Sequence, residues 1–132
     1  MSQVAAGAQM VTGAYDALNR GDVEGALEPL ADDAEWMEHS DLPEAGCYRG
    51  IDSIRALLES FLESWDDVHQ QVEETRSGKD RVLVQLHFRG RGRGSGVEVE
   101  TRYAHLWTLR GDKGVRVDAY YDPRAAEEAL EE

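Results

Sequence analysis

The chain has 132 residues, 41% of them hydrophobic, which suits a single domain over residues 1–132 with its own core. Its formal charge of −13, from 27 acidic against 14 basic side chains, repels phosphate, so small molecules or proteins are favoured as partners over nucleic acids and anionic membranes. Because the amino terminus lacks the basic region of a secretory signal and no apolar run approaches the length of a membrane span, we predict a cytoplasmic protein.

The first third of the chain predicts two helices joined by a tight turn. The spacing of apolar residues predicts one helix over 3–20 and a second over 23–30, with Pro29 distorting the last turn of the second. Gly21 tolerates the left-handed backbone that ends the first helix, and the Asp22 carboxylate can cap the free amides of the second. The chain is therefore expected to fold back at once.

The residues after Asp33 change from a helical to an alternating pattern, which predicts a strand. Trp36 and Glu38 share one face of that strand, whereas Glu35 and Met37 share the other. A carboxylate on the apolar face of a strand is costly unless it is paired, protonated or used. Glu38 is therefore the first candidate for chemistry.

The remainder of the chain predicts a third helix, four strands and a short last helix. After a loop over 40–50, helical spacing is followed by Ile51, Ile54, Leu57, Leu58, Phe61 and Trp65. The four strand candidates cover 68–75, 81–89, 97–109 and 115–121. Asp122 is predicted to cap the last helix, with Pro123 at its first position and its body over 125–130.

Alternation within the strands from residue 81 onwards places one set of residues from each strand on a common face. The sets are Val82, Val84, Leu86 and Phe88, then Val99, Thr101, Tyr103, His105, Trp107 and Leu109, then Val115, Val117, Ala119 and Tyr121. Three helices packed against one strongly curved sheet would leave a cone-shaped interior lined by these residues together with Trp36 and Glu38. We therefore predict an α+β cone: three N-terminal helices, a mainly antiparallel sheet and a short C-terminal helix.

Several short segments, in this order and spacing, resemble the SnoaL-like branch of the nuclear transport factor 2-like superfamily over roughly residues 10–130. They are ALNRGD (17–22), LADDA (30–34), YRG (48–50), AHLWTL (104–109) and YYD (120–122). The resemblance implies the cone fold shared with ketosteroid isomerase and limonene epoxide hydrolase, and a homodimer through the outer sheet surface. Because this fold hosts isomerases, cyclases, dehydratases, hydrolases and proteins without catalysis, the site residues must be compared singly.

The catalytic positions of these relatives are matched only in part. Glu38 falls where ketosteroid isomerase carries its aspartate base, but Ala14 and His105 stand at the isomerase's oxyanion tyrosine and aspartate. The arginine and two aspartates of the epoxide hydrolase fall on Leu86, Phe88 and Ala119. His105 matches a cavity histidine of the polyketide cyclases in this branch, whereas their proton-moving acid is Ala119. Its neighbour Asp118 is expected to face outward.

Glu38 and His105 are predicted to point into the cone, as a general base and a polarising or orienting partner for removal of a proton next to a carbonyl. A buried ion pair or hydrogen bond that only satisfies two polar groups is the alternative. The predicted ligand-binding residues offer aromatic and apolar walls for a flat molecule with one or two oxygens. They are Tyr15, Trp36, Phe61, Leu86, Phe88, Tyr103, Trp107, Ala119 and Tyr121. An aromatic core without a cavity is the alternative for this set.

Three classes of function follow from these alternatives. The first is a cavity enzyme for isomerisation, cyclisation or dehydration that requires no metal or organic cofactor. The second is a non-enzymatic carrier or sensor of a small hydrophobic ligand in the same pocket. The third is a dimerisation or scaffold module whose cone is filled by its own aromatic side chains.

The remaining motifs carry no predicted chemistry. His39, His69 and His87 show no metal-binding spacing with Cys47 or with one another. Cys47, the single cysteine, is predicted to be an unactivated thiol in a loop. The RGRGRGSG segment (89–96) is too short for a nucleic-acid-binding tail and is predicted to be a solvated hairpin tip.

Overall fold

The computed structural model describes residues 3–39 and 46–131. Their helices and strands are α1 (Gln3–Asn19), α2 (Val23–Leu27), β1 (Leu30–His39), β2 (Cys47–Arg49), α3 (Ile51–Glu63), β3 (Trp65–Ser77), β4 (Arg81–Gly92), β5 (Glu98–Arg110), β6 (Lys113–Tyr120) and α4 (Pro123–Glu131). The strands form one sheet in the order β2-β1-β6-β5-β4-β3. Neighbouring strands within the sheet are antiparallel, except that β1 and β6 run parallel. No helix within these residues is long and apolar enough to cross a membrane.

The turn between α1 and α2 forms as predicted, but α2 is shorter. Gly21 has a φ of +78°, a left-handed conformation that glycine adopts without strain. Asp22 Oδ1 accepts a hydrogen bond of 2.9 Å from the Gly25 amide and so caps α2. The predicted extension of α2 to residue 30 is wrong, because the Pro29 carbonyl already accepts a bond of 2.7 Å from the Gly114 amide and draws the chain into the sheet beside β6.

The inner face of the sheet carries the larger part of the core. The register of β4 and β5 pairs Val82 with Trp107, Val84 with His105 and Leu86 with Tyr103, which confirms the face that alternation predicted. Helices α1 and α3 cover this face. Their buried apolar residues include Val11, Ala14, Tyr15, Leu18, Ile54 and Leu58.

Two boundaries around α3 differ from the prediction. Trp65 continues the apolar stripe of the helix in sequence, yet α3 ends at Glu63 and Trp65 begins β3. The Ser64 carbonyl accepts a bond of 3.0 Å from the Arg93 amide, so the chain joins the far end of the β4 hairpin at this point. The short strand β2 occupies part of the predicted loop over 40–50, and residues 40–45 of that loop lie outside the described residues.

Helix α4 covers part of the outer face of the sheet. It begins at Pro123, and Asp122 Oδ1 accepts a bond of 3.0 Å from the Arg124 amide, as the capping prediction requires. Its fully buried Ala126 packs in a second, outer cluster with Leu83, Ala104 and Leu106. Strands covered on both faces read as continuous apolar runs, which explains why alternation alone did not reveal this cluster.

Gly114 gives a test of how closely β6 packs on the inner core. A Cβ atom at this buried position would lie 2.8 Å from Trp107 Cε3, which is too close for van der Waals contact. We expect Gly114→Ala to lower the free energy of unfolding by about 1–3 kcal/mol, the usual cost of overpacking. Urea denaturation followed by circular dichroism measures this change.

Gly13 supplies the control for that experiment. A Cβ atom at Gly13, on the exposed side of α1, would meet nothing within 4 Å. Gly13→Ala should therefore raise the free energy of unfolding by about 0.5–1 kcal/mol through helix propensity alone. Equal stability of the Gly114→Ala protein and the parent would contradict the packing described here.

Candidate functional site

A cavity of about 280 Å³ lies between the helices and the inner face of the sheet. Its walls are largely aromatic and aliphatic: Tyr15, Leu18, Trp36, Leu57, Leu58, Phe61, Trp65, Phe88, Val99, Tyr103 and Tyr121. Glu38, Gln70, Thr101 and His105 add polar groups to the lining. The large aromatic side chains therefore leave the cone partly hollow.

Six of the nine predicted ligand-binding residues line this cavity, and three do not. The six are Tyr15, Trp36, Phe61, Phe88, Tyr103 and Tyr121. Leu86, Trp107 and Ala119 share the inner face of the sheet but lie behind the lining, each exposed by 2% or less. Ala119 is paired in register with Glu38 on one side and His105 on the other, and its methyl group is too short to reach past them.

His105 belongs to a buried chain of hydrogen bonds with Tyr15 and Trp107. The Trp107 Nε1–H group donates to Tyr15 Oη at 2.9 Å, and Tyr15 Oη lies 2.7 Å from His105 Nδ1. An indole nitrogen can only donate, so the Tyr15 proton needs another acceptor. Among the described residues, His105 Nδ1 is the atom that can accept it. Tyr15 therefore donates to His105.

The direction of that bond fixes the tautomer of His105. Burial lowers the pKa of His105 to about 3, so its ring is neutral at pH 7. Burial also raises the pKa of Tyr15 well above its ordinary value, which keeps the hydroxyl protonated. With Nδ1 occupied as an acceptor, the ring hydrogen lies on Nε2. No described residue forms a hydrogen bond with Nε2. Because every fully buried polar side-chain atom of the described residues has a partner, Nε2 is not fully buried, and its N–H group opens into the cavity that His105 lines.

Glu38 lies at the same cavity with two neutral donors on its carboxylate. Trp36 Nε1–H donates to Oε1 at 2.8 Å, and the Tyr121 hydroxyl donates to Oε2 at 2.9 Å. Trp36 reaches Glu38 because the two share one face of β1, as alternation predicts. Burial and the charge of Glu38 raise the pKa of Tyr121, which therefore remains a donor.

Glu38 and His105 are brought to one cavity but not into direct contact. Neither a hydrogen bond nor an ion pair joins them within the described ranges, so the alternative of a structural pair between them is wrong. Their strands are separated by β6, which places their Cα atoms about 10 Å apart. Ala119 lies between them, and the Trp36 ring contacts the His105 ring edge-on with centroids 4.9 Å apart.

Gln70 is a polar lining residue that the sequence analysis missed. Its side chain is buried and accepts a hydrogen bond from the Tyr103 hydroxyl through Oε1. The Asn19 side chain donates to the Gln70 carbonyl and accepts from the Gln70 amide, both at 2.9 Å. The signal was present, because Gln70 shares a strand face with Val68 and Val72 just as Glu38 shares one with Trp36.

The acidic residue next to Ala119 does not reach the cavity. Asp118 faces the outer side of the sheet, as predicted, and is buried there. Its carboxylate accepts from Arg116 Nε at 2.9 Å and lies 2.7 Å from His39 Nε2. Asp118 therefore does not contribute an acid to the cavity lining.

The motifs without predicted chemistry lie away from the cavity. Cys47 is exposed, although it belongs to β2 rather than to a loop, and its Sγ is 3.7 Å from Glu35 Oε2. The RGRGRGSG segment is a hairpin tip only from Arg93 onwards, because β4 continues through Gly92. Within residues 3–39 and 46–131, no three His, Cys, Asp or Glu side chains are grouped closely enough to hold a metal ion.

Comparison with known proteins places this fold and cavity in a family. The SnoaL-like domain model matches residues 11–117, whereas no curated protein sequence matches significantly. TerC, co-crystallised with polyporic acid, superposes with a TM-score of 0.77 at 22% identity over 96% of this chain and 98% of TerC.

Two further solved structures show the same fold. An NTF2-like protein from Burkholderia thailandensis superposes with a TM-score of 0.77 at 28% identity, covering 94% of this chain and 96% of its own. A ketosteroid isomerase-like protein from Catenulispora acidiphila, in complex with trimethylamine, gives 0.77 at 16% identity, with 93% and 92% covered. The chain therefore belongs to the SnoaL-like domain family and has the α+β cone fold of NTF2-like proteins.

Proposed function

We propose that this protein binds a small, mostly apolar carbonyl compound in its cone cavity and moves a proton on the carbon next to the carbonyl. One observation carries the proposal: a carboxylate and a neutral imidazole N–H group face the same cavity from either side of Ala119. A base and a hydrogen-bond donor separated in this way can act on adjacent atoms of one substrate.

Each of the two groups has a distinct role in the proposed reaction. Glu38 takes the proton from the carbon, and the electrons of that C–H bond form the enolate double bond. Negative charge develops on the carbonyl oxygen, where His105 Nε2–H donates a hydrogen bond without giving up its proton. Glu38 then returns the proton to the same or a different carbon, which completes an exchange or an isomerisation.

The charge of the cavity and of the whole chain supports a neutral substrate. His105 is uncharged at pH 7, and Glu38 is the one acidic side chain that residues 3–39 and 46–131 contribute to the lining. The formal charge of −13 also disfavours anionic ligands. TerC was co-crystallised with polyporic acid and the Catenulispora protein is in complex with trimethylamine, which supports the binding of a small molecule by a protein of this fold.

Ligand binding without turnover is the second candidate function. It is favoured by Ala119, because the lining formed by the described residues then lacks the second acid that the resemblance to the polyketide cyclases implies. A carrier or sensor would use the same aromatic walls and the same two polar groups. Homodimerisation through the outer sheet surface, a cytoplasmic location and independence of cofactors stay predictions.

Replacement of the base separates the two candidates. We expect the protein to accelerate deuterium incorporation next to the carbonyl of 2-tetralone in D₂O, and Glu38→Gln to reduce that rate at least about 100-fold, since a positioned base contributes roughly 10²–10⁴-fold. Proton NMR of the probe measures the exchange.

Glu35→Gln is the matched control, because Glu35 lies on the outer face of the same strand and pairs with Arg49. This variant should keep the full exchange rate. Binding of 2-tetralone without accelerated exchange would favour the carrier, and equal rates in the Glu38→Gln and parent proteins would contradict Glu38 as the base.

The neutral state of His105 predicts a specific dependence of stability on pH. The pKa of His105 is about 3 in the folded protein and about 6.5 when unfolded, so the unfolded chain binds the extra proton between these values. The contribution of neutral His105 to the free energy of unfolding is complete above pH 6.5 and is lost as the pH falls towards 3. Between these values the free energy of unfolding changes through this group by up to about 1.4 kcal/mol per pH unit.

His105→Asn removes the titrating ring but retains an acceptor for Tyr15. The free energy of unfolding of this variant should fall less steeply between pH 6.5 and 4 than that of the parent, as measured by urea denaturation at each pH. Parallel curves for the two proteins would show that His105 titrates normally in the folded state.

A further inference from the structure

Gln70 offers the cavity a second hydrogen-bond donor. On the basis of the proposed binding site, we infer that the Gln70 amide selects ligands with a second acceptor oxygen, at the end of the molecule away from His105. The substrate class is then an elongated apolar carbonyl compound that carries a ketone, quinone or ether oxygen at its far end.

The hydrogen bond from Tyr103 determines which end of the Gln70 amide faces the ligand. The Tyr103 hydroxyl proton needs an acceptor, and Gln70 Oε1 is the one that the described residues supply. With Oε1 occupied, the free Nε2 group is the part of the side chain left for the cavity. Gln70 is 4% exposed and lines the cavity. Because no fully buried polar side-chain atom of the described residues lacks a partner, the unpaired Nε2 group is accessible from the cavity.

The position of this amide is held by contacts on both sides. β3 is the last strand of the sheet, so among the described residues no strand pairs with one edge of its backbone. Asn19, at the end of α1, pairs with the Gln70 backbone at that place through two bonds of 2.9 Å. The side chain is fixed at its tip by Tyr103. A donor held at backbone and tip loses little conformational entropy when a ligand binds.

The sheet register places Gln70 and His105 at different ends of the cavity. Gln70 pairs with Phe88, which pairs with Thr101, and His105 is four residues further along β5. Four residues of a strand span about 13 Å, and two strand spacings add about 10 Å across the sheet. Tyr103 lies between the two, with its ring centroid 5.3 Å from that of His105 and its hydroxyl on Gln70. A two-ring molecule would lie along Tyr103.

A pair of isosteric probes tests the inference. They are 2-acetylnaphthalene with a 6-methoxy group, which is an acceptor, and the same compound with a 6-ethyl group, which is not. We expect the parent protein to bind the methoxy probe about five- to tenfold more tightly by calorimetry, the effect of one neutral hydrogen bond. Gln70→Leu should abolish this preference while retaining affinity for the ethyl probe.

Tyr103→Phe gives an independent readout that does not depend on Gln70→Leu being folded. Without the hydroxyl, Gln70 Oε1 becomes available as an acceptor. A third probe, 2-acetylnaphthalene with a 6-hydroxy group, can donate a hydrogen bond and should then gain at least about threefold in affinity relative to the methoxy probe. An unchanged ratio of these affinities in Tyr103→Phe would overturn the inference.

The remaining outcomes separate this inference from the proposed function. Equal affinities of the parent protein for the methoxy and ethyl probes would overturn the role of Gln70 and leave the carbonyl site intact. Retention of the methoxy preference in Gln70→Leu would do the same. Failure of the parent protein to bind either probe would overturn both the proposed site and the second donor.

Discussion

One buried tyrosine hydroxyl determines the hydrogen-bonding character of the cavity. Tyr15 Oη accepts from Trp107 and donates to His105, three groups that come from α1 and β5. Leaving a buried polar group of this kind unpaired costs about 1–3 kcal/mol, so the packing of α1 on the sheet and the state of the imidazole are linked. The ring of His105 is kept neutral by burial and keeps its hydrogen on Nε2. The N–H group that His105 offers a ligand therefore depends on Tyr15, whose own hydroxyl already has both of its hydrogen-bond partners.

Neighbouring aromatic side chains also determine what Gln70 and Glu38 offer a ligand: Gln70 is left as a donor, whereas Glu38 is held as an acceptor. Tyr103 occupies the acceptor atom of Gln70 and leaves a donor, whereas Trp36 and Tyr121 both donate to Glu38. Aromatic side chains thus form the apolar wall, and their hydrogen bonds also determine which polar groups of the cavity act as donors and which as acceptors. The result is a mostly apolar cavity with donors at His105 and Gln70 and a carboxylate at Glu38. That pattern suits a neutral molecule with acceptor oxygens and an acidic C–H bond.

The sequence predicted the features that depend on strand periodicity. Alternation is sufficient to assign a face, so Glu38 and His105 were expected at the cavity and are found there. It does not determine how far a side chain reaches into a curved sheet, and for that reason Trp107 and Ala119 share the inner face without lining the cavity. Gln70 carried the same signal as Glu38 but was missed because the polar residues His69 and Gln71 flank it in the sequence. The partners of each group depend on register between distant strands, and no local pattern encodes them.

The tautomer of His105 is the property on which the account depends most directly. Selective ¹⁵N labelling of the four histidines, with His105→Asn for assignment, allows long-range ¹H–¹⁵N NMR spectra to distinguish the two ring nitrogens. We predict an Nε2–H ring with an unprotonated Nδ1 at pH 7, unchanged down to pH 5. A hydrogen on Nδ1, or titration of the ring near its ordinary pKa of about 6.5, would contradict the account.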